Sequence, residues 1–249
     1  MSAGLKDRVV IVTGASKGIG AGIAKAFGRA GASVVVNYAS SRSGADAVVS
    51  GIEAAGGRAA AVQANVAEEA DVKHLFAQTI DRFGRVDVLV NNAGVYGATP
   101  IAEVTADEFH RQYNVNVLGL LLASREAAAA FGDRGGSIIN ISSSISTLAM
   151  PQMSIYAGTK GAVDTITKVL AKELGPKIRV NSVNPGAVFT EGAAGFFEEG
   201  GEFRTQFEQM SPLGRIGEPD DIAGAVVFLA SDAASWVTGE TWGVNGGVK

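Results

Sequence analysis

Two side chains that can move a proton lie one helical turn apart in the segment SIYAGTKGA. Tyr156 precedes Lys160 by four residues, which places both on one face of a helix, and Ser143 lies thirteen residues before the tyrosine. A phenol with its ordinary pKa of about 10 is a weak acid or base at neutral pH. An ammonium about 4 Å away, at an effective dielectric constant near 20, supplies roughly 4 kcal/mol and lowers that pKa by about three units. The spacing therefore predicts proton transfer to or from a carbonyl oxygen.

A glycine-rich turn near the N-terminus, TGASKGIG, predicts a dinucleotide site. Gly14, Gly18 and Gly20 lie between the strand-like run VVIVT and a helix that begins near Ile19. Glycines let the backbone turn tightly and approach a pyrophosphate, whose charge is attracted to the helix N-terminus. A tyrosine and a lysine at helical spacing are often only a packed aromatic and a solvated charge. The strand, turn and helix order upstream makes hydride transfer the better interpretation.

Composition excludes several other classes of function. The 249 residues carry 21 Lys+Arg and 25 Asp+Glu, a net charge of -4, with no basic run for nucleic acid or a membrane surface. Zero cysteines exclude disulfides and thiolate ligands, and the two histidines, His74 and His110, lie in helix-like segments, so no metal site is expected. The chain shows neither a signal sequence nor an apolar run that approaches the length of a membrane span, which predicts a cytoplasmic location.

Strand and helix patterns alternate along the whole chain. Seven β-rich runs, RVVIVTG, SVVVNY, GRAAAVQANV, VDVLVNNAG, GSIINISSS, IRVNSVNPG and TWGVNGG, are typical of strands buried on both faces. Helices are predicted over 18–30, 41–55, 68–83, 105–132, 154–174 and 219–230. The pattern predicts an α/β fold, a doubly wound parallel sheet of the Rossmann type, with residues 1–249 forming one domain.

The segment 190–211 fits neither pattern and is predicted to be a substrate lid. It contains five glutamates, four phenylalanines and four glycines, and it follows a strand end, where open α/β sheets bind ligands. We expect the glycines to permit hinging and Phe196, Phe197, Phe203 and Phe207 to close over an apolar substrate. The glutamates are expected to face water, because they would repel cofactor phosphates. The alternative is a surface helix pair that serves only packing.

Five motifs in this order resemble the short-chain dehydrogenase/reductase family, over nearly the entire chain. TGASKGIG resembles the family's TGxxxGxG loop, and NNAG at 91–94 resembles the motif that braces the central sheet. Asn116 in YNVNVLG, then Ser143, Tyr156 and Lys160, match the catalytic positions. The segment from Pro185 to Thr190 resembles PGxxxT, which contacts the nicotinamide.

The resemblance implies a role for each matching residue. Tyr156 would exchange the proton, and Ser143 would hydrogen-bond the same substrate oxygen. Lys160 would lower the tyrosine pKa and hold the nicotinamide ribose, and the main chain of Asn116 would hold a water of a proton relay. The residues expected to contact the cofactor are Gly14, Ser16, Lys17, Gly18, Ile19, Gly20, Asn37, Tyr38, Ala39, Ser40, Arg42, Asn65, Val66, Asn92, Ala93, Gly94, Tyr156, Lys160, Pro185, Gly186, Val188 and Thr190. The residues expected to line an apolar substrate pocket are Tyr96, Ser143, Ile145, Met150, Met153, Phe189 and Phe196.

Two positions depart from the family pattern. Ser146 stands where the family often has a glycine, three residues after the catalytic serine, and only the offset to Tyr156 distinguishes Ser143 from its serine neighbours. Asn65 stands where an aspartate is commoner, and its oxygen could still contact the adenine amino group.

The charges near the second strand favour NADP over NAD. NAD sites usually place an acid at the end of that strand, to bind the ribose 2′-hydroxyl. Here the strand ends in Asn37 and Tyr38, with no acid before Asp46, while Lys17 and Arg42 would offer positive charge to a 2′-phosphate.

The sequence predicts an NADPH-dependent carbonyl reductase acting on a small molecule, and similar family members reduce 3-oxoacyl thioesters or ketones. A 3-oxoacyl thioester reductase, a sugar dehydrogenase and a non-catalytic NADP(H)-sensing regulator are the alternatives. A sugar-phosphate isomerase or epimerase would need more chain than the 89 residues after Lys160. Small residues on the helices over 105–132 and 154–174, which the family pairs across subunits, predict a homotetramer.

Overall fold

The computed structural model describes residues 4–192, 195 and 197–248. Seven parallel strands form one sheet in the order β3-β2-β1-β4-β5-β6-β7, which confirms the predicted doubly wound fold. The strands are β1 Val9–Val12, β2 Ser33–Tyr38, β3 Arg58–Gln63, β4 Val88–Asn91, β5 Gly136–Ile141, β6 Ile178–Pro185 and β7 Thr241–Val244. The strand order reverses between β1 and β4, and this switch point opens a crevice at the carboxyl ends of the strands.

Eight α-helices connect and cover the strands in the described residues. They are α1 Gly18–Arg29, α2 Arg42–Ala54, α3 Glu69–Phe83, α4 Ala106–Tyr113, α5 Gly119–Phe131, α6 Ser154–Leu174, α7 Glu202–Met210 and α8 Pro219–Ala230. The helix predicted over 105–132 is interrupted by a π-helical segment, Asn114–Leu118, which the sequence analysis missed. Helix α7, none of whose residues is buried, lies in the segment for which the sequence analysis gave a surface helix pair only as the alternative.

Alternate residues of the central strands face two hydrophobic cores. Val10 and Val12 of β1 pack in the core formed with α1, α2 and α8, whereas Ile11 belongs to the core formed with α3, α5 and α6. Both faces of β1 are fully buried, which explains its uninterrupted run of β-branched residues.

A chain of buried polar side chains crosses the sheet between β4 and α6. Asn91 at the end of β4 donates through Nδ2 to Asn140 Oδ1, at 3.0 Å, and to Ser124 Oγ of α5, at 3.1 Å. Asn140, paired with Asn91 in the sheet register, donates in turn to Thr167 Oγ1 of α6 at 2.9 Å. These partners satisfy polar atoms that would otherwise be costly to bury.

The helical run over 106–134 is long and apolar enough to cross a membrane, with a mean hydropathy of 1.2 in its most apolar window. The sequence analysis expected no such run. In the fold, α5 packs its buried face against α3, β4 and β5.

Candidate active site

The glycine loop between β1 and α1 has the shape that a pyrophosphate requires. Gly14 and Gly18 have positive φ angles of 61° and 57°, a region that disfavours other residues. A Cβ on Gly20 would lie 2.4 Å from Asn92 Nδ2 and 2.6 Å from Gly14 O, so a larger residue does not fit. Since the loop leads directly into the N-terminus of α1, its backbone N–H groups and the helix dipole suit a phosphate group.

Side chains from β2 and from the end of β4 hold this loop in place. Asn37 is 1% exposed, accepts from Gly14 N through Oδ1 at 3.1 Å and donates to Ala64 O at 3.0 Å. Asn92 donates to the carbonyls of Thr13 and Gly14 at 2.8 and 3.0 Å. The buried amide of Asn37 is bound to protein backbone and supports the loop, and its contact with the cofactor stays a prediction.

The acid that begins the proposed lid binds the loop directly. Glu191 accepts a hydrogen bond from Gly18 N through Oε2 at 2.9 Å. The expectation that the glutamates of 190–211 avoid the phosphate site is wrong for this residue, because the N-terminus of α1 attracts any nearby anion, including a carboxylate of the protein itself. A cofactor phosphate at the same place would compete with Glu191 for this N–H.

Tyr156 and Ser143 meet at the carboxyl end of β5. Tyr156 lies in the first turn of α6, and the Ser143 hydroxyl hydrogen-bonds its side chain, which lowers the tyrosine pKa. Burial has a larger and opposite effect, so the pKa of Tyr156 rises to about 12. The two flanking serines bond elsewhere, Ser142 to Lys160 O at 3.1 Å and Ser144 to Asn184 O at 3.5 Å. Of the three serines, Ser143 is the one that acts on the tyrosine, and its catalytic role stays a prediction.

Lys160 lies one turn further along α6 and is 5% exposed. Its Nζ donates to Ile141 O at 2.8 Å and lies 5.6 Å from the centre of the Tyr156 ring. Burial lowers the pKa of Lys160 to about 8, and the charge of Asp164 opposes that change. The predicted lowering of the tyrosine pKa by three units is wrong for this structure, because desolvation of the phenol raises its pKa and outweighs the lowering by Ser143.

Asn116 lies in the π-helical segment, opposite Lys160. Its side chain accepts from Val95 N and donates to Val95 O, each at 2.8 Å, and also donates to Thr159 Oγ1 of α6 at 3.1 Å. A cavity of about 10 Å³ is lined by Asn116, Lys160 and Val115, among others. That volume approaches what one water molecule needs, and π-helical turns often mark functional sites.

The segment after β6 and the loop after β4 border the tyrosine. Phe189 N donates to Gly217 O at 2.8 Å, which fixes the nicotinamide motif predicted over 185–190. Tyr96 contacts Tyr156 edge to face, with 6.1 Å between ring centres, and its hydroxyl donates to Gly192 O at 3.1 Å. Tyr96 therefore touches both the candidate proton donor and the start of the lid.

The remaining predicted pocket residues differ in exposure. Ile145 is buried, Met153 and Phe189 are half-buried, and Met150 is exposed. Phe196 lies outside the described residues. Phe197 packs with Phe203 and Phe207, at ring-centre distances of 5.6 and 5.8 Å, so these three aromatics form a cluster within the lid.

The predicted adenosine region lies around the start of α2. A Cβ on Gly44 would lie 2.6 Å from Ser16 O, so the helix start abuts the glycine loop. Lys17 is exposed, and Arg42 pairs with Asp46 at 3.5 Å. The other residues predicted there are half-buried Ile19 and Asn65, buried Tyr38 and Val66, and exposed Ala39 and Ser40. The Asn65 oxygen accepts from Ala67 N at 3.1 Å, which forms a local turn.

Comparison with known proteins identifies the fold's relatives. A family model described as enoyl-(acyl carrier protein) reductase matches residues 14–249. An uncharacterized oxidoreductase of Methylorubrum extorquens is 55% identical, with 98% of this chain and 99% of the relative covered. A 3beta-hydroxysteroid dehydrogenase of Eggerthella lenta is 44% identical, with coverage of 98% and 94%. A solved short-chain dehydrogenase/reductase from Serratia marcescens superposes with a TM-score of 0.92 at 38% identity, with coverage of 98% and 99%.

These matches extend over almost the whole of each protein, and they agree with the sheet order and the glycine loop described above. Proteins of the matched group are oxidoreductases that act on carbonyl or hydroxyl groups with a nicotinamide cofactor. The chain is accordingly an oxidoreductase that belongs to the short-chain dehydrogenase/reductase family.

Proposed function

We propose that this protein reduces a ketone with NADPH and that Tyr156 donates the proton to the carbonyl oxygen. The observation that carries the proposal is the placement of Tyr156 beside Ser143, which lowers the tyrosine pKa, and one helical turn from buried Lys160. The bound nicotinamide supplies the hydride, and the protein supplies position and charge.

Proton donation follows from the protonation state of the tyrosine. With a pKa of about 12, Tyr156 keeps its proton at neutral pH, which is the state that reduction requires. Ser143 can donate a second hydrogen bond to the same substrate oxygen and stabilise the negative charge that develops there. Oxidation of an alcohol would instead require the phenolate, which burial of Tyr156 disfavours.

Lys160 would bind the nicotinamide ribose hydroxyls and replenish the proton. Its lowered pKa, about 8, lets it release a proton near neutral pH more readily than an exposed lysine. One water in the small cavity lined by Asn116 and Lys160 would connect the ammonium to further donors.

The cofactor would be held by the glycine loop, with NADP preferred over NAD. Asn37 is neutral and bound to Gly14 N, so the end of β2 offers no carboxylate to a ribose 2′-hydroxyl. Exposed Lys17 and Arg42 lie on the loop and on the adjoining start of α2, where a 2′-phosphate would meet positive charge.

The substrate is proposed to be an apolar, ring-containing ketone. Tyr96, Met153 and Phe189 supply apolar surface near the tyrosine, and the segment 190–211 would close over it as a lid. Relatives named as a 3beta-hydroxysteroid dehydrogenase and as a versicolorin reductase of Emericella nidulans, the latter 42% identical, support this class.

A substrate panel with the purified protein tests the proposal. Steroid ketones, quinone-like ketones, acetoacetyl thioesters, oxidised sugars and an enoyl thioester are each assayed for NADPH and NADH consumption. The expected result is turnover of ring ketones with NADPH, absent in Tyr156→Phe. Reduction of only the enoyl thioester, or of no compound while NADPH binds, would overturn it in favour of carbon–carbon reduction or nucleotide sensing.

We also propose a homotetramer, as predicted from the sequence. Leu118 and Leu121, at the π-helical segment and the start of α5, are 42% and 39% exposed, and Val169 of α6 is 49% exposed. These apolar surfaces would be covered by pairing the two helices between subunits. Light scattering at micromolar concentration tests the assembly, and a monomer alone would contradict it.

A further inference from the structure

A polar network behind the Ser143 turn links that turn to α6. Asn184, near the end of β6, is 8% exposed, and its Nδ2 lies 3.0 Å from Asp164 Oδ2 and 3.1 Å from Asp164 Oδ1. The same nitrogen lies 3.3 Å from Ser146 Oγ and 3.5 Å from Ser143 O. Ser182 Oγ donates to Asn184 Oδ1 at 2.7 Å, which fixes the orientation of the amide.

Ser146, which stands where the family often has a glycine, therefore contributes contacts of its own. Its hydroxyl accepts from Asn184, while its main-chain N–H donates to Ser143 O at 3.1 Å. The 3₁₀ turn Ser144–Ser146 is held at both ends, because Ser143 Oγ also accepts from Ile145 N at 3.2 Å. A glycine at 146 would remove the one side-chain hydroxyl through which the turn itself accepts from Asn184.

Asp164 is connected both to the turn that carries Ser143 and to Lys160. It accepts from the amide that holds the Ser143 turn, and it lies one helical turn beyond Lys160 on the same face of α6. The titratable groups that act on the pair are Tyr96 from the loop after β4, which raises the pKa of Tyr156, and Asp164, which raises the pKa of Lys160. Asp164 is the one acid among them.

We propose that Asp164 is a positioning residue for carbonyl reduction: through Asn184 and Ser146 it fixes the turn that presents the Ser143 hydroxyl, and it places a carboxylate one helical turn from Lys160. The proposal rests on the proposed function, because it assigns Asp164 to the machinery of that reaction. It also gives Ser146 a role that a glycine cannot fill.

Four variants separate the two effects. Asn184→Ala and Ser146→Ala cut the link to the turn and leave the Asp164 charge in place. Asp164→Asn keeps an acceptor for the amide and removes the charge. Thr147→Ala is the matched control, because it removes an exposed hydroxyl of the same turn, which bonds Ser144 O at 3.1 Å and makes no bond to Asn184.

The expected result is a loss in kcat of about tenfold for Asn184→Ala and for Ser146→Ala, with the Kd for NADPH unchanged. The double variant should lose no more than either single variant, because both break one chain of contacts. Asp164→Asn should move the limb of the kcat–pH profile that depends on Lys160 to lower pH. Asn184→Ala and Ser146→Ala should leave that limb in place. Ser146→Thr, which keeps a hydroxyl, should restore most of the activity.

Two outcomes would overturn the proposal. If Ser146→Ala and Asn184→Ala turn over as fast as Thr147→Ala, the network serves packing only. If Asp164→Asn folds by circular dichroism and keeps the wild-type pH profile, it does not set the charge of Lys160. Failure of the proposed function itself is recognised separately, since the wild-type protein would then reduce no ketone of the panel, or Tyr156→Phe would retain turnover.

Discussion

Glu191→Gln is expected to tighten cofactor binding. In this structure the Glu191 carboxylate accepts from Gly18 N at the N-terminus of α1, the position that suits a phosphate. Binding of the pyrophosphate therefore requires the carboxylate to give up its hydrogen bond and to remain near a second anion. A neutral amide keeps the shape of the side chain and lessens both effects.

The size of the gain can be worked from this geometry. An anion at an exposed helix N-terminus contributes about 0.3–1 kcal/mol. A carboxylate that moves to about 8 Å from a phosphate charge adds about 0.5 kcal/mol of repulsion in water. Together these effects reach about 1 kcal/mol, so the Kd should fall about fivefold in Glu191→Gln.

Isothermal titration with NADP and with NAD, at low and high salt, measures the effect. The affinity of Glu191→Gln for both cofactors should rise by the same factor, because the contact lies at the pyrophosphate and not at the 2′-phosphate. The gain should shrink at high salt, since exposed charges are screened. Glu202→Gln is the control, an exposed acid of the same segment in the first turn of α7. Equal affinities in the two variants, or weaker binding in Glu191→Gln, would refute the reasoning.

Three further expectations can be measured directly. Tyr156→Phe should lower kcat about 10²- to 10⁴-fold while NADPH still binds, as followed by nucleotide fluorescence; near-normal turnover would exclude the tyrosine as the donor. Because burial lowers the pKa of Lys160 from 10.5 to about 8, the unfolded chain binds more protons than the folded chain between these values. The free energy of unfolding should therefore rise with pH from about 8 to 10, and Lys160→Met should remove that contribution in urea titrations. The double variant of Lys17→Ala and Arg42→Ala should weaken NADP binding about tenfold or more and leave NAD binding nearly unchanged; equal losses would argue against recognition of the 2′-phosphate.

Local patterns predicted the sheet and the candidate residues, because strand composition and helical spacing are local properties. The four-residue offset between Tyr156 and Lys160 required only the geometry of α6. Their pKa values depend on burial by distant segments, so the direction predicted for the tyrosine was wrong. The sequence likewise did not reveal that Asn37 supports the glycine loop, since its hydrogen-bond partners, Gly14 and Ala64, come from two neighbouring loops. Helix α7 carries Phe203, Phe207 and Met210 at helical spacing, but it is short and buries none of its residues, and the sequence analysis interpreted its aromatics as part of the lid.

The buried amides of Asn91 and Asn140 allow only one register between β4 and β5, at the centre of the sheet. A slip of β4 by two residues toward the end of β5 would still set Val88 opposite Ile139 and Val90 opposite Ile141. It would also set Leu89 opposite Asn140, and the Asn140 amide would lose Asn91 as its partner in a dry interior. The two asparagines therefore discriminate against misaligned pairings during folding, and this alignment delivers the strand ends, with their glycine loop and catalytic turn, to the same edge of the sheet.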